Sequence, residues 1–256
     1  QIETAVKTKG YKWFEDANDK GYDVNIVGVR NNKTKGRVTN AFDDHITISY
    51  KIDGEWQFHC YKCTTDPGTH WVENIMRKEG VAVLKPGQYR GSHKIRKHQG
   101  RYDALGQQKP VKVYRDKNLD GKYDLNEENV MEGLYGINIH RATKYAGKKS
   151  TQIDRWSAGC QVIAANDDWT AFMKIMRKAR DIWGNLESKI TFKNFDDLEI
   201  KYKELLEEHG SLSKKLEEIK NKEKQEERKQ IEFSEKIDEL NQETDTLLEE
   251  IDKWQM

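Results

Sequence analysis

Covalent chemistry could be carried by residues 136–164, which contain a single histidine, His140, and a single cysteine, Cys160. A cysteine nucleophile requires a base within hydrogen-bond reach, donors for the oxyanion and an exposed approach. The two residues are twenty positions apart, so a hairpin-like return of the chain can bring their side chains together. The small residues Ser157 and Gly159 would let the backbone approach a substrate carbonyl, with the N–H groups of Gly159 and Cys160 as candidate oxyanion donors. A buried structural cysteine beside an unrelated histidine fits the same spacing equally well.

Short runs of β-forming residues surround this stretch and would have to position it. Asp53-Gly54 lies between two of these runs and is a strong hairpin signal. The apolar spacing after the N-cap candidate Asn166 predicts a helix that ends at Gly184, and a short amphipathic helix is predicted over residues 3–19. The predicted strands cover residues 25–30, 45–51, 55–62, 80–84, 89–96, 111–115, 135–140 and 186–192. Residues 1–193 are therefore predicted to form a mostly β domain with a few helices.

The stretch from His140 to Cys160 resembles the active site of the L,D-transpeptidase catalytic domain family. The resemblance is to a phage- and prophage-type subgroup and runs from about residue 20 to 165, through the phrases NIVGVR, TTDPGTHW, PGQYRGSHKI, VYRDKNLDG, GINIHRA and WSAGCQVIA. It implies an L,D-transpeptidase-like β-sandwich or barrel, with Cys160 as nucleophile, His140 as base, and Ser157 and Gly159 in the flanking positions. The chain departs from the family pattern at Ala158, where histidine is frequent, and at Val162, where arginine or asparagine is frequent.

The resemblance implies cysteine-dependent acyl transfer or hydrolysis on the stem peptides of peptidoglycan. Cys160 would form an acyl-enzyme that an amine or water resolves with help from His140, and no metal is needed for this chemistry. The expected place of action is the cell wall or periplasm, in a phage particle or during lysis. The competing hypothesis is a non-catalytic peptidoglycan-binding or virion-structural component.

Several polar and aromatic residues are candidates for binding the substrate. Four of them follow the Pro86-Gly87 turn within one polar stretch, and a solvated strand face explains them equally well. Arg141 directly follows the histidine and is a candidate clamp for a peptide carboxylate. The complete set of candidates is Tyr89, Arg90, His93, His98, Arg141 and Trp156.

The segment Asp116–Glu127 reproduces the spacing of a twelve-residue calcium loop, with Gly121 at the sixth position. The predicted ligands are Asp116, Asn118, Asp120, Lys122 through its backbone carbonyl, Asp124 and Glu127. A predicted strand precedes the loop and no clear helix follows it, so the flanks are not those of an EF-hand. We expect either a structural Ca²⁺ or an Asp-rich turn in which the glycine supplies the bend.

The cysteine count and the net charge argue against a disulfide-stabilised protein, a zinc protein and a nucleic-acid-binding protein. Three cysteines do not make a disulfide framework, and Cys60 and Cys63 would point to opposite faces of a strand, which disfavours a zinc site with His59 and His70. The 45 basic and 44 acidic residues leave a net charge of +1, which gives no reason to expect a nucleic-acid partner. Neither a membrane-spanning apolar run nor a signal-peptide pattern is visible.

The remainder of the chain, residues 194–256, is predicted to be a long α-helical coiled coil. Apolar residues recur in a 3-4 heptad pattern over residues 198–254, interrupted by Glu223, Glu226 and Gln230. We expect this segment to hold the protein in a homo-oligomer. A single exposed charged helix is the alternative, and a break at Gly210 would let the pieces fold back.

Overall fold

The computed structural model describes residues 1–31, 36–116, 118, 120, 122–184 and 189–194, the last as backbone only, together with scattered single positions between 217 and 244. The chain divides into two compact units, Gln1–Glu199 and Ile200–Met256. The predicted coiled coil lies almost entirely outside the described residues. The single positions described there, among them Ile219, Phe233 and Leu240, are helical and exposed, and the homo-oligomer stays a prediction.

The first unit is mostly β with a few helices, which confirms the predicted class. Its helices are α1 (Ile2–Thr8), α2 (Thr69–Glu73) and α3 (Asn166–Trp183), with a 3-10 turn at Glu127–Asn129. Its strands are β1 (Asn25–Arg30), β2 (Asp44–Ile52), β3 (Glu55–Thr64), β4 (Val81–Leu84), β5 (Gly87–Arg90), β6 (His93–His98), β7 (Tyr102–Gln107), β8 (Val111–Asp116), β9 (Val130–Gly133), β10 (Ile139–Arg141), β11 (Gln161–Ile163) and β12 (Lys189–Asn194). No helix in the described part of the chain is long and apolar enough to cross a membrane.

The strands form a nine-stranded sheet and a three-stranded sheet. The order in the large sheet is β5-β12-β1-β2-β3-β11-β10-β7-β6, and in the small sheet β4-β8-β9. The two edge strands of the large sheet, β5 and β6, are separated in the chain by Gly91 and Ser92 alone. Laid flat, eight strand spacings would put these edges about 38 Å apart, whereas so short a link spans only about 11 Å. The large sheet therefore curls until its edges meet.

Local signals account for the hairpin and the long helix. Asp53 and Gly54 both have positive φ, as the two-residue turn between β2 and β3 requires. Helix α3 buries the predicted apolar stripe against the large sheet, with Phe172 and Met176 fully enclosed. Asn166 is the first helical residue rather than the N-cap, because its side-chain amide donates to the Thr143 carbonyl, 2.9 Å away.

Three predicted elements were too long. The strand predicted over residues 135–140 begins only at Ile139. The N-terminal helix ends at Thr8 rather than near residue 19, because Gly10 has φ +73° and Trp13 instead packs beside Val6 and Val27. The strand predicted over residues 89–96 is two strands at opposite edges of the sheet. Its break at Gly91, with φ +64°, separates residues that were grouped as neighbours in one cleft.

Candidate active site

The pairing of β10 with β11 determines how His140 and Cys160 are placed. The two strands are parallel, with His140 opposite Val162. Side chains alternate between the faces of a strand, so Ile139 and Ile163 enter the core beneath α3 while His140 and Val162 take the other face. Cys160 immediately precedes β11 and packs against the cluster that contains Val162. The fold thus places the predicted nucleophile and the predicted base on the same face of the sheet.

Cys160 is half-buried in a cleft of about 300 Å³, here called the Cys160 cleft. Its Sγ lies 3.3 Å from the Gly136 carbonyl oxygen. Burial raises the pKa of the thiol to about 11, opposed by a hydrogen bond from the Asn138 backbone N–H. The resting thiol is consequently protonated at neutral pH, and attack requires a base.

His140 has the tautomer that a base needs. Its Nδ1 lies 3.0 Å from the Arg141 carbonyl oxygen, which can only accept, so Nδ1 carries the proton and Nε2 presents a lone pair. Burial, and secondarily the neighbouring His98, lowers the pKa of His140 to about 4. The two imidazole rings stack with centroids 4.3 Å apart. His140 is therefore neutral at physiological pH and able to take up a proton.

The turn before the nucleophile is fixed by Ser157 and Gly159. Ser157 Oγ donates to the Cys160 carbonyl at 2.8 Å and accepts from the Gly159 N–H at 3.1 Å. Gly159 has φ +127°, and a Cβ there would stand 2.3 Å from the Ala82 carbonyl oxygen, so only glycine fits. The Gly159 N–H, one of the two predicted oxyanion donors, donates to Ser157 Oγ in this structure. The Asn138 N–H, which donates to the sulfur in the resting state, is a second donor beside the nucleophile.

The Cys160 cleft has aromatic walls and two cationic side chains. Trp71 and Tyr135 form part of the walls, and His98 lines the cleft as predicted. Arg77 and Arg115 also line it, and none of its lining residues is acidic. Sequence reasoning did not identify Arg77, Arg115 or Tyr135, since nothing in their spacing connects them to Cys160.

Three of the predicted substrate-binding residues lie elsewhere. The hydroxyl of Tyr89 donates to the Lys85 carbonyl at 2.6 Å, and the Arg90 guanidinium lies over the Phe14 ring. His93 is 1% exposed, with Nδ1 2.8 Å from Ser92 Oγ and Nε2 2.6 Å from the Ile137 carbonyl. These contacts place the three side chains in packing roles outside the cleft lining.

Arg141 and Trp156 are also absent from the lining of the Cys160 cleft. The guanidinium of Arg141, which was predicted to clamp a carboxylate, stacks over the Tyr102 ring at 4.2 Å. Trp156 is 46% exposed on the surface. Of the six predicted substrate-binding residues, only His98 is thus brought to the nucleophile.

The predicted calcium loop forms a series of side-chain-to-backbone turns. Asp116 accepts from the Asn118 N–H, Asn118 from the Asp120 N–H, and Asp120 from the Lys122 N–H, at 3.3, 3.3 and 2.9 Å. The predicted last ligand, Glu127, pairs with Lys85 and with the Tyr114 hydroxyl.

Metal binding therefore rests on the sequence pattern alone. Within the ranges that the structure describes, no group of three or more His, Cys, Asp or Glu side chains is arranged to hold a metal, and calcium stays a prediction. Cys60 is exposed and Cys63 buried, as their opposite faces of β3 require.

No family model, no curated protein and no solved structure matches this chain. The resemblance to L,D-transpeptidase-like proteins therefore depends on the sequence phrases alone.

Proposed function

We propose that the first unit is a cysteine-nucleophile enzyme of L,D-transpeptidase type that acts on peptidoglycan stem peptides at the cell wall. The observation that carries the proposal is the hydrogen bond from His140 Nδ1 to the Arg141 carbonyl, on the sheet face that also holds Cys160. A histidine oriented in this way presents the lone pair of Nε2, which is what a general base requires.

The first half-reaction forms a thioester. His140 Nε2 takes the thiol proton as the sulfur attacks the amide carbonyl carbon, and a tetrahedral oxyanion forms beside the Asn138 N–H. The intermediate collapses, the C–N bond breaks, and His140 returns the proton to the departing amine. The raised pKa of the thiol and the lowered pKa of the imidazole both disfavour a thiolate–imidazolium pair in the resting enzyme.

The second half-reaction restores the thiol. An amine or water enters the cleft, loses a proton to His140 and attacks the thioester carbonyl. The C–S bond then breaks and His140 reprotonates the sulfur. An amine acceptor gives a cross-link and water gives hydrolysis. A calcium ion in the Asp116–Glu127 loop would be structural, and a homo-oligomer through residues 198–254 would hold two or more such clefts together.

Mass spectrometry of the intact full-length protein tests the proposal. Incubation with purified peptidoglycan fragments is expected to add the mass of the acyl donor less its leaving amine, and to release a processed fragment. Cys160→Ala should abolish both results. Cys60→Ala is the matched control, because this exposed thiol lies outside the cleft and its loss should change neither. Neither adduct nor product from the wild-type protein would instead favour a non-catalytic wall-binding or virion-structural component.

A further inference from the structure

Arg115 is an unusual cation in the Cys160 cleft because it is 8% exposed and still lines the cleft. Its Nη1 donates to the Gly80 carbonyl at 3.3 Å, and its guanidinium carbon lies 4.3 Å from the centroid of the Tyr135 ring. Its Nε is buried with no hydrogen-bond partner among the described residues. One stacking contact and one hydrogen bond therefore orient the guanidinium while most of its donors are unused.

No acidic side chain neutralises this arginine within the part of the chain that the structure describes. Arg115 forms no ion pair there, and no carboxylate lines the cleft. Arginine stays protonated in proteins, so burial without a counter-charge is unfavourable unless a ligand supplies one. Arg77, which is exposed at the same cleft, adds a second positive charge. The electrostatics of the cleft therefore favour an anion.

The fold also places Arg115 close to the nucleophile. In the small sheet, Arg115 pairs with Ala82, and the Ala82 carbonyl closely approaches Gly159 in the turn before Cys160. One strand spacing, about 5 Å, therefore separates the backbone of Arg115 from the strand that abuts this turn. A peptide whose amide carbonyl reaches the sulfur can place a carboxylate a few atoms away on the guanidinium.

We propose that Arg115 binds a carboxylate of the acyl-donor peptide, so that the Cys160 cleft selects anionic donors. The planar fork of the guanidinium can donate hydrogen bonds to both carboxylate oxygens, and the Tyr135 ring holds that plane in place. Arg77 strengthens the attraction from the exposed side of the cleft. Naming the ligand as an acyl donor rests on the proposed function, whereas the preference for a carboxylate beside the thiol does not.

Two alkylating reagents test the preference without any peptidoglycan. Iodoacetate and iodoacetamide carry the same electrophilic carbon and differ only in a carboxylate or an amide. The rates of Cys160 alkylation by each, followed by mass spectrometry on the full chain, give an acid-to-amide ratio. We expect Arg115→Gln to lower this ratio about tenfold, the effect of losing one charge-assisted contact. Arg77→Gln should lower it about twofold, because an exposed charge is screened by water.

Controls separate recognition from a structural role. Arg90→Gln removes an equal charge on β5, outside the cleft, and should leave the ratio unchanged. Arg115→Lys keeps the charge without the fork and should give an intermediate ratio. A structural role alone would change both reagent rates together and leave their ratio constant.

A measurement on the wild-type protein does not depend on any variant folding. Added salt should slow iodoacetate and not iodoacetamide. A ratio insensitive both to salt and to Arg115→Lys would overturn the inference. An unchanged ratio in a folded Arg115→Gln protein would do the same.

Peptide substrates then separate this inference from the proposed function. Matched donor peptides ending in a carboxylate or an amide should differ in kcat/KM for the wild-type enzyme, and the difference should shrink about tenfold in Arg115→Gln. Absence of turnover with a normal reagent ratio would contradict the proposed function only. Turnover without discrimination between the two peptides would contradict the Arg115 assignment only.

Discussion

Two buried histidines in different regions of the first unit provide a direct comparison. His93, at the start of β6, and His140, in β10, both lie in the interior, and burial lowers the pKa of each to about 4. His93 uses both ring nitrogens, on Ser92 Oγ and the Ile137 carbonyl. His140 uses only Nδ1 among the described residues, on the Arg141 carbonyl.

The difference indicates which histidine is available for chemistry. A buried neutral histidine with two satisfied nitrogens contributes to packing and connects backbone segments. One with an unused nitrogen, in the strand next to the one that Cys160 precedes, has the arrangement of a base. Burial and lowered pKa alone do not separate the two residues, since they share both properties, and the number of hydrogen bonds does.

The largest expected effect tests the base. His140→Gln should slow acyl-enzyme formation by about 10²- to 10⁴-fold, because the amide of glutamine cannot accept the thiol proton. The melting temperature should fall only modestly, since glutamine can keep a hydrogen bond to the Arg141 carbonyl and loses the stacking on His98. Single-turnover mass spectrometry with peptidoglycan fragments measures the rate, and thiol labelling of Cys60 provides an internal reference. An acylation rate within a few-fold of wild type would remove His140 from the mechanism.

The second expected effect is on stability. His93→Leu should lower the free energy of unfolding by about 2–4 kcal/mol, because the Ser92 hydroxyl and the Ile137 carbonyl each lose a partner in the interior. Alkylation of Cys160 per folded molecule should stay nearly constant. Urea titration gives the first quantity and iodoacetamide kinetics the second. If His93→Leu left the free energy of unfolding unchanged but slowed the alkylation of Cys160, the roles assigned to the two histidines would be reversed.

The predictable part of the fold is the part with local signals. Strand β1 follows from a run of β-forming residues, the β2–β3 hairpin from Asp53-Gly54, and helix α3 from a 3.6-residue apolar stripe. Strands β7, β9 and β11 and helix α2 were missed. Their residues are short or polar runs whose structure depends on partners that are distant in the chain, such as β3 and β10 beside β11.

The candidate site divides in the same way. Cys160 and His140 were found because their types and spacing point to one reaction, and the structure places both on the same sheet face. Arg115 was missed because a strand arginine beside Asp116 is indistinguishable in sequence from a solvated one, and only the tertiary fold buries it.

The residues Tyr89, Arg90 and His93 were predicted to share the cleft because they are close in the sequence. The break at Gly91 separates them from the cleft.

Acidification should act on both histidines in the same direction. Each has a pKa of about 4 in the folded protein against an ordinary histidine value of 6.5, so the unfolded chain binds more protons between these limits. The stability that each contributes is present above pH 6.5 and is lost as pH falls towards 4, by roughly 3 kcal/mol per histidine. Asp44 acts oppositely, because burial raises its pKa to about 7 and its contribution is lost as pH rises.

The difference between wild-type and His93→Leu unfolding free energies, followed by urea titration across this window, cancels the Asp44 contribution. We expect the advantage of the wild-type protein to shrink by roughly 3 kcal/mol on acidification from pH 6.5 to 4. A difference that is constant with pH would mean that His93 does not titrate in this range. His93 and His140 could then no longer be compared as two buried neutral histidines that differ only in their hydrogen bonds.

The smallest expected effect concerns the ring stacked on His140. His98 lowers the pKa of His140 by charge repulsion, although burial is the larger cause. His98→Phe retains a ring for stacking and removes the charge, so the pKa of His140 should rise by a few tenths of a unit. Since only neutral His140 accepts the thiol proton, the acidic limb of the pH–rate profile for Cys160 acylation should move to higher pH by the same amount.

His59→Phe is the matched control, because His59 stacks between Tyr50 and Tyr61 and does not line the cleft. An acidic limb that stays in place in His98→Phe would mean that burial alone determines the pKa of His140, and equal movement in both variants would exclude a specific contribution from His98.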